Sequence, residues 1–234
     1  MLFDLHVHSH HSPCSRLHPQ DILNHARDLG LDGVCITDHH NTTVHREVRE
    51  GIQGNGLCLI LGMEYTTPEG DFLLFGPFED IPAGLAAGPL LKHVQDTGGA
   101  VIAAHPFRPG RQTNKVLIKK GKCWIVEGVN GRNTQSQNRK TGKWRREYGV
   151  RLVGGSDAHC LEELGSVATR LTIPVTSKEE FIEALRNGSF QEVRPDPFPG
   201  RQEINRDQEA PLRHRTGQPV PGPVSRGSGD TFPR

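Results

Sequence analysis

The sequence predicts an α/β fold in which parallel β-α units close into a barrel. Apolar runs typical of strands alternate along the chain with segments of helical periodicity, which is the pattern of β-α units. About seven strand candidates can be counted, and the 234 residues fall a little short of the ~250 that a full eight-fold barrel needs. We therefore expect a barrel that is closed but distorted, or incomplete.

The predicted strands are short apolar runs between turn signals. They cover residues 2–7, 33–37, 57–66, 72–75, 100–104, 124–129 and 150–153. The last residues of several runs are followed at once by histidine or a carboxylate. A Pro-Glu-Gly turn at residues 68–70 separates the third run from the fourth.

The predicted helices follow from start and stop signals. The first begins at Pro19 and ends at Gly30, the second is capped by Asn41 and runs through Ile52, and the third is opened by Pro89. A polar helix is predicted over residues 134–148. The last helix begins with the capping-box pair Ser177 and Glu180 and ends at Gly188.

The composition excludes several classes of protein. With 28 basic and 27 acidic residues the formal charge is +1, so no global field steers the chain onto nucleic acid or an anionic membrane. The five cysteines are odd in number and form no Cys-x-x-Cys pair, which argues against a disulfide framework or a zinc knuckle. No apolar run approaches the ~20 residues of a membrane span. We expect a cytoplasmic protein without a membrane or an evident protein partner.

The segment after residue 193 differs from the rest of the chain. Eight of the 17 prolines lie in residues 194–234, which hold few apolar residues and no periodicity. Such a segment buries too little surface to offset the entropy of ordering it. The predicted organisation is one domain over residues 1–193 and a disordered tail over residues 194–234.

Thirteen histidines are present, and their placement suggests a metal site. Alternate residues of a strand share a face and lie ~6.6 Å apart, so His6 and His8 can reach one ion or two adjacent ions. Asp157 and His159 repeat this spacing after another apolar run. By itself a His-x-His pair is weak evidence, because most such pairs lie on surfaces or in satisfied cores.

The remaining candidates also follow apolar runs. They are Asp38 with His39, then Glu64, then His105. Parallel α/β folds place their active sites at the carboxyl ends of strands, so these groups are expected to converge. A carboxylate such as Glu64 can bridge two cations. Asp38 can accept a hydrogen bond from a ring N–H and so orient a histidine ligand.

Together the motifs DLHVHS, TDHH, GME, AHPF and GGSDAH resemble the polymerase-and-histidinol-phosphatase (PHP) superfamily of metal-dependent phosphoesterases. The resemblance covers residues 1–193. It implies a distorted (β/α)7 barrel and two or three divalent ions, which are Mn, Zn, Fe or Mg. The implied ligands are His6, His8, His39, Glu64, His105, Asp157 and His159. Asp4 and Asp38 are implied as residues that support the ligands without binding the ions.

Two positions depart from the commonest family pattern. Cys14 stands where many relatives have an aspartate, and its thiolate is either a zinc ligand or inert. Asp71 stands where many relatives have a histidine, and it is either an oxygen ligand or an exposed turn residue. We favour Asp71 as the ligand, because the apolar run after it fixes its place. An oxygen donor favours Mn²⁺ or Mg²⁺, whereas a thiolate favours Zn²⁺.

The chemistry that the resemblance implies is hydrolysis of phosphate esters by a metal-activated water. Arg108 and Arg132 follow two of the strands and are the candidates for gripping phosphate oxygens. The subgroup that looks closest cleaves nucleoside bisphosphates and the 5′ ends of nucleic acids, so a phosphorylated small molecule, nucleotide or oligonucleotide is the expected substrate. The alternatives are a histidinol-phosphate-type phosphatase and a metal-binding regulatory module without activity.

Overall fold

A computed structural model of the chain describes residues 1–78 and 81–195. Its strands are β1 (Leu2–Val7), β2 (Gly33–Ile36), β3 (Gly51–Ile52), β4 (Cys58–Leu61), β5 (Met63–Thr67), β6 (Gly70–Phe75), β7 (Ala100–Ala103), β8 (Ile125–Asn130), β9 (Arg151–Gly155) and β10 (Thr169–Arg170). Its helices are α1 (Pro19–Asp28), α2 (Ala87–Asp96), α3 (Lys115–Lys119), α4 (Gln135–Tyr148) and α5 (Lys178–Arg186), with a 3-10 helix over Thr43–Arg46. The predicted tail from residue 196 onward lies outside the described residues.

The strands form two five-stranded sheets. The first has the order β10-β1-β2-β4-β3, in which β1, β2 and β4 are parallel. The second has the order β5-β6-β7-β8-β9, in which β7, β8 and β9 are parallel. Two isolated bridges, Val7 with Ala158 and His39 with Glu64, connect the sheets. The α/β class is confirmed, but among the described residues these sheets do not form one closed barrel, and the (β/α)7 barrel is not confirmed.

The expectation of uniformly parallel units is wrong for β6. This strand pairs antiparallel with both β5 and β7. The reason lies in the turn between β5 and β6, because two residues can join only antiparallel neighbours. The helix expected to run from Asn41 through Ile52 is also wrong. Only Thr43–Arg46 is helical there, and Gly51, with a φ of 94°, begins β3.

Successive side chains of a strand point to opposite faces of the sheet, and this alternation divides the core into separate clusters. Leu5, Cys35 and Ile60 belong to a cluster that lies between the two sheets, whereas Val34 and Leu59 pack outward against α1. A third cluster packs β5–β8 against α2 and α4.

Helix α5 contributes Phe181 to the cluster between the sheets, where its ring contacts Phe3 and Phe75. Those contacts lie at the amino ends of the parallel strands. The buried polar side chains therefore gather at the opposite end of the sheets, beyond the carboxyl ends of the parallel strands. Among the described residues, no helix has the length and apolar character needed to cross a membrane.

Candidate metal centre

Glu64 lies at the middle of the cluster of histidines. It is buried at the start of β5, and its two oxygens face different rings. Oε1 lies 2.8 Å from Nε2 of His105. Oε2 lies 3.1 Å from Nε2 of His8, 3.3 Å from Nε2 of His6 and 3.3 Å from Nδ1 of His39. A carboxylate placed in this way can bridge two cations, with one oxygen for each.

Asp157 faces the same rings from the end of β9. Its Oδ1 lies 3.3 Å from Nε2 of His8 and 3.5 Å from Nε2 of His6. Its Oδ2 accepts hydrogen bonds from Arg108 at 2.7 Å and from Asn130 at 3.2 Å. One oxygen is therefore held by the protein while the other points into the cluster.

The donor atoms gather into three overlapping groups, each with all its atoms within 4.8 Å of one another. The groups are His6, Glu64 and His105; His6, His8 and Asp157; and His8, Cys14, His39 and His159. Every predicted ligand except Asp71 belongs to one of them. Imidazole, carboxylate and thiolate are the donors that divalent transition metals take in proteins, so the residues present fit such ions.

Burial and charge act against each other on these groups. Burial disfavours the charged form of His6, but Asp157, Glu127 and Glu64 outweigh it and raise the pKa of His6 well above its usual value. Burial likewise opposes ionisation of Glu64, yet the histidines around it hold its pKa well below the usual range. His39 differs, since burial dominates there and lowers its pKa to about 4. The cluster therefore favours positive charge at its buried end.

Glu127 is a buried carboxylate that the sequence analysis did not identify. Its Oε1 lies 3.1 Å from Nδ1 of His6, and its Oε2 accepts the backbone N–H of His105 at 2.7 Å. Asn130 donates to the same oxygen at 2.9 Å. Glu127 thus accepts the Nδ1 proton of His6, so that Nε2 is the nitrogen that can bind an ion once its own proton is displaced. A glutamate inside the apolar strand Ile125–Asn130 is the signal that was available, because a buried charge needs a partner.

Asp38 acts through a serine rather than on a ring directly. It accepts the hydroxyl of Ser12 at 2.6 Å, and that hydroxyl oxygen lies 3.2 Å from Nδ1 of His8. Asp38 also accepts the backbone N–H of Ser9 at 2.8 Å. The expectation that Asp38 would contact a ring N–H is therefore replaced by a relay, in which the hydroxyl donates to Asp38 and accepts from His8.

Asp4 forms hydrogen bonds to the backbone of the segments that carry candidate ligands. Its carboxylate accepts the N–H groups of Ser156 and Gly165, each at 2.9 Å, and of His6 at 3.3 Å. It therefore ties β1 to the segment that follows β9, and its effect on the ring of His6 is indirect. Burial is the main cause that raises the pKa of Asp4, to about 6.

The two departures from the family pattern lie on different sides of the cluster. Sγ of Cys14 lies 3.1 Å from Nε2 of His159, within the four-residue group. Oδ2 of Asp71 lies 3.9 Å from Nε2 of His105, and its Oδ1 is 3.5 Å from Arg111. Asp71 is thus beside the cluster but outside the three groups, whereas Cys14 is inside one.

Arginines line the rim of the cluster. Arg108 donates through Nη2 to Asp157 and Asn130 and through Nε to Asn133, and Nη1 is left without a partner among the described residues. Nη1 of Arg132 lies 2.8 Å from Nδ1 of His159. Arg111, which the sequence analysis did not single out, donates to the hydroxyl of Thr66 and is half exposed.

The backbone around the ligands is unusual. His105 and Asp157 have φ values of 27° and 58°, in a region that residues other than glycine seldom adopt. Gly155 lies so close to β1 that an added Cβ would be 2.6 Å from Cβ of His6. The strained backbone at His105 and Asp157 costs some stability, and such strain is typical of positions where side-chain placement serves a function.

Comparison with known proteins agrees with this geometry. The PHP domain family matches residues 4–148, and the PHP-associated family matches residues 135–190. The chain belongs to the PHP domain family. By class it is therefore a metal-dependent phosphoesterase, which is a hydrolase.

Relatives of this PHP protein occur in archaea. Two uncharacterized proteins of Methanocaldococcus jannaschii are similar to it in sequence. One is 32% identical over 119 residues, which are 47% of this chain and 70% of the relative. The other is 29% identical over 174 residues, which are 71% of this chain and 68% of the relative.

Solved structures share the fold of this chain at low sequence identity. A candidate metal-dependent phosphoesterase of Bifidobacterium adolescentis superposes with a TM-score of 0.57 at 17% identity, over 78% of this chain and 94% of that one. PsfC of Pseudomonas syringae gives 0.63 at 18%, over 77% and 87%. The lesion-specific endonuclease EndoQ of Pyrococcus furiosus gives 0.61 at 20%, over 80% of this chain and 56% of that one.

Proposed function

We propose that this PHP protein hydrolyses phosphate esters of nucleotides or of nucleic-acid 5′ ends at a centre of two or three divalent ions. The proposed ligands are His6, His8, His39, Glu64, His105, Asp157 and His159, with Cys14 and Asp71 as the two further candidates. The observation that carries the proposal is the overlap of three donor groups around Glu64. Ions bound there would supply a water of lowered pKa and would neutralise charge on the phosphoryl oxygens.

The chain's own residues position the ligands and the substrate. Glu127 and Ser12 accept the Nδ1 protons of His6 and His8, so that Nε2 is the atom of each ring that would bind an ion. Nη1 of Arg108 and the guanidinium of Arg132 lie on the rim, where they can donate to non-bridging phosphate oxygens. In this proposal Arg108 also orients Asp157, which the sequence alone did not suggest.

A nucleic-acid or nucleotide substrate is supported by one solved neighbour. An Endonuclease Q structure with a 27-mer duplex substrate superposes at a TM-score of 0.60 over 80% of this chain, which spans 57% of that protein. The near-zero net charge of this chain limits long-range attraction to polyanions, so we propose a short substrate gripped locally by the rim arginines. Five free cysteines, one of them exposed, suit the reducing cytoplasm that we propose as its location.

The test is an activity screen on metal-free protein reloaded with Mn²⁺ or Zn²⁺. The substrates are p-nitrophenyl phosphate, bis-p-nitrophenyl phosphate, a nucleoside 3′,5′-bisphosphate, a 5′-phosphorylated oligonucleotide and histidinol phosphate. We expect metal-dependent release of phosphate or nucleotide, fastest with the bisphosphate or the oligonucleotide. Fastest turnover of histidinol phosphate would reject the proposed substrate class, and no turnover with any substrate would reject the proposed activity.

A further inference from the structure

A second group of donors lies outside the metal centre, on the segment that follows β1. His10 and His11 both direct Nε2 at a single oxygen, Oε1 of Glu47, at 3.1 and 2.9 Å. The three donor atoms lie within 4.8 Å of one another. Glu47 directly follows the 3-10 helix Thr43–Arg46, and its side chain is 42% exposed. Neither residue of the histidine pair was assigned a role above.

Hydrogen bonds fix which nitrogen of His11 carries a proton. The amide of Asn41 donates to the carbonyls of His11 at 3.2 Å and of His39 at 2.9 Å, so its Oδ1 must be the acceptor of the pair. The hydroxyl of Thr43 donates to that Oδ1 at 2.7 Å. The Thr43 oxygen can then only accept from Nδ1 of His11, which lies 3.0 Å away. A neutral His11 therefore has its proton on Nδ1 and a lone pair on Nε2.

That lone pair faces a carboxylate oxygen at 2.9 Å, which is a repulsive contact for a neutral ring. Two species remove the repulsion: an imidazolium, or a neutral ring that shares a cation with Glu47. His10 directs a second ring nitrogen at the same oxygen. Two donors at ~2.1 Å from a tetrahedral ion are roughly 3.4 Å apart, close to the separations found here, and two imidazoles with one carboxylate form a zinc donor set.

We propose that His10, His11 and Glu47 form a peripheral site for one divalent transition-metal ion, with Zn²⁺ as the fitting ion and water completing its coordination. The partly exposed rings, 30% for His10 and 18% for His11, leave room for that water. The hydrogen bonds of Asn41 and Thr43 act as the outer contacts that hold a metal-binding histidine in its tautomer.

An ion at this site would clamp two segments beside the main centre. One segment carries His10 and His11, two and three residues after the proposed ligand His8. The other carries Glu47, and Asn41 links it to the backbone of the ligand His39. The peripheral ion is therefore expected to stabilise the two segments that carry His8 and His39 without contacting those side chains.

The test is zinc stoichiometry on the full chain by equilibrium dialysis and elemental analysis. We expect Glu47→Gln and His11→Gln each to hold one zinc ion fewer per chain than the unsubstituted protein. Zinc should also raise the melting temperature of each variant less than it raises that of the unsubstituted protein. The matched control is His45→Gln, an exposed histidine of the same 3-10 helix that is outside the donor group, which should keep the full count.

A second variant separates this site from the main centre. Glu64→Gln should lose ions of the main centre and retain the peripheral one, so that a double variant with Glu47→Gln holds one ion fewer than Glu64→Gln alone. Circular dichroism verifies that each variant is folded. Equal zinc counts in folded Glu47→Gln, folded His11→Gln and the unsubstituted protein would show that the group is only an ion pair with a protonated histidine. The result does not depend on phosphoesterase activity.

Discussion

Glu64 is the residue on which the proposed metal centre should depend most, because its two oxygens face four histidines. Glutamine in its place is neutral and turns one of the two oxygens into a donor, so it cannot bridge cations. We expect Glu64→Gln to lower kcat/KM roughly 10²–10³-fold, the cost of losing one preorganised electrostatic group, and to reduce metal content by two ions. Activity assays and elemental analysis measure both. Glu179→Gln, an exposed position on α5, is the control. Unchanged metal content would contradict the bridging role.

Cys14 and Asp71 are expected to make opposite contributions to metal preference. The sequence favoured Asp71 as the ligand, whereas the geometry places Cys14 in a donor group and Asp71 3.9 Å from His105. We therefore expect Cys14→Ser to weaken Zn²⁺ binding at least tenfold and Asp71→Asn to weaken it less. Competitive titration with a chromophoric chelator gives both affinities. The reverse ranking would restore the sequence-based preference and point to an oxygen-rich site.

Proton release provides a test of the electrostatics around His6. Burial opposes charge on the ring, but the neighbouring carboxylates raise its pKa well above the usual value, so an arriving ion must displace a proton. Proton competition weakens metal binding as pH falls. We thus expect the apparent affinity to increase with pH through that raised pKa and then to level off. Calorimetry at pH 7 in two buffers of different ionisation enthalpy measures the protons released, and none released would contradict this.

At the scale of residues, the rule that active sites lie at strand ends identified the candidate ligands but not the residues that support them. His6, His8, Glu64, His105 and Asp157 converge as expected, because each lies close to a strand end that faces the same space. Their supports could not be found in this way. Glu127 is 121 positions from His6, and the relay from Asp38 through Ser12 depends on two loops meeting. Spacing along the chain does not report which distant residues pack together.

Helix α4 holds the end of β8 beside the candidate metal centre through the side chain of Asn138. The buried Asn138 accepts the backbone N–H of Asn130 at 3.2 Å and donates to its carbonyl at 3.1 Å. Asn130 in turn donates to Glu127 and Asp157. We expect Asn138→Ala to lower the free energy of unfolding by about 1–3 kcal/mol, because two buried backbone groups lose their partner, and to lower kcat.

The control for Asn138→Ala is Ser136→Ala, an exposed position on the first turn of the same helix. Chemical denaturation gives the stability, and initial rates at saturating metal give kcat. A loss of stability with an unchanged kcat would mean that Asn130 is held in place without α4.

At the scale of elements, the ends of several helices could be predicted from local signals, whereas the antiparallel direction of β6 could not. The side chain of Ser177 accepts the backbone N–H of Glu180 at the start of α5, and Gly30 and Gly188 adopt the positive φ that ends helices. These signals are local. The antiparallel course of β6 follows from the two-residue turn before it and from its pairing with β7, which is a contact between distant segments.

For the whole molecule, the end of the folded domain can be tested by truncation. Val193 donates its backbone N–H to Leu152, and Glu192 pairs with Arg145 and Arg151. We expect a chain that ends at Val193 to keep its stability within ~0.5 kcal/mol, because only an exposed ion pair of Arg194 is lost among the described contacts.

A chain that ends at Ser189 is the comparison, since it also lacks the buried Phe190. Its loss should reach about 3 kcal/mol or more, as for other deletions of a buried phenylalanine ring. Thermal and chemical denaturation measure both chains. A large loss in the Val193 chain would show that the segment from residue 194 onward contributes to folding, against the sequence-based expectation of a disordered tail.

The two bridges that join the sheets, Val7 with Ala158 and His39 with Glu64, are called the seams here. The seams should couple the pairing of the two sheets to metal binding at the proposed centre. Their backbone hydrogen bonds come from the ligand residues themselves or their neighbours: Asp157 donates to the carbonyl of His6 at 2.7 Å, and His40 donates to that of Glu64 at 3.0 Å. Opening a seam therefore separates the donors of an ion, and an ion that binds only the closed chain shifts the population toward closure by mass action. In a cell starved of the ion, more chains would stand open with unpaired strand edges, exposed to proteases and to one another. Metal supply would in this way govern how long the protein survives as well as how fast it works.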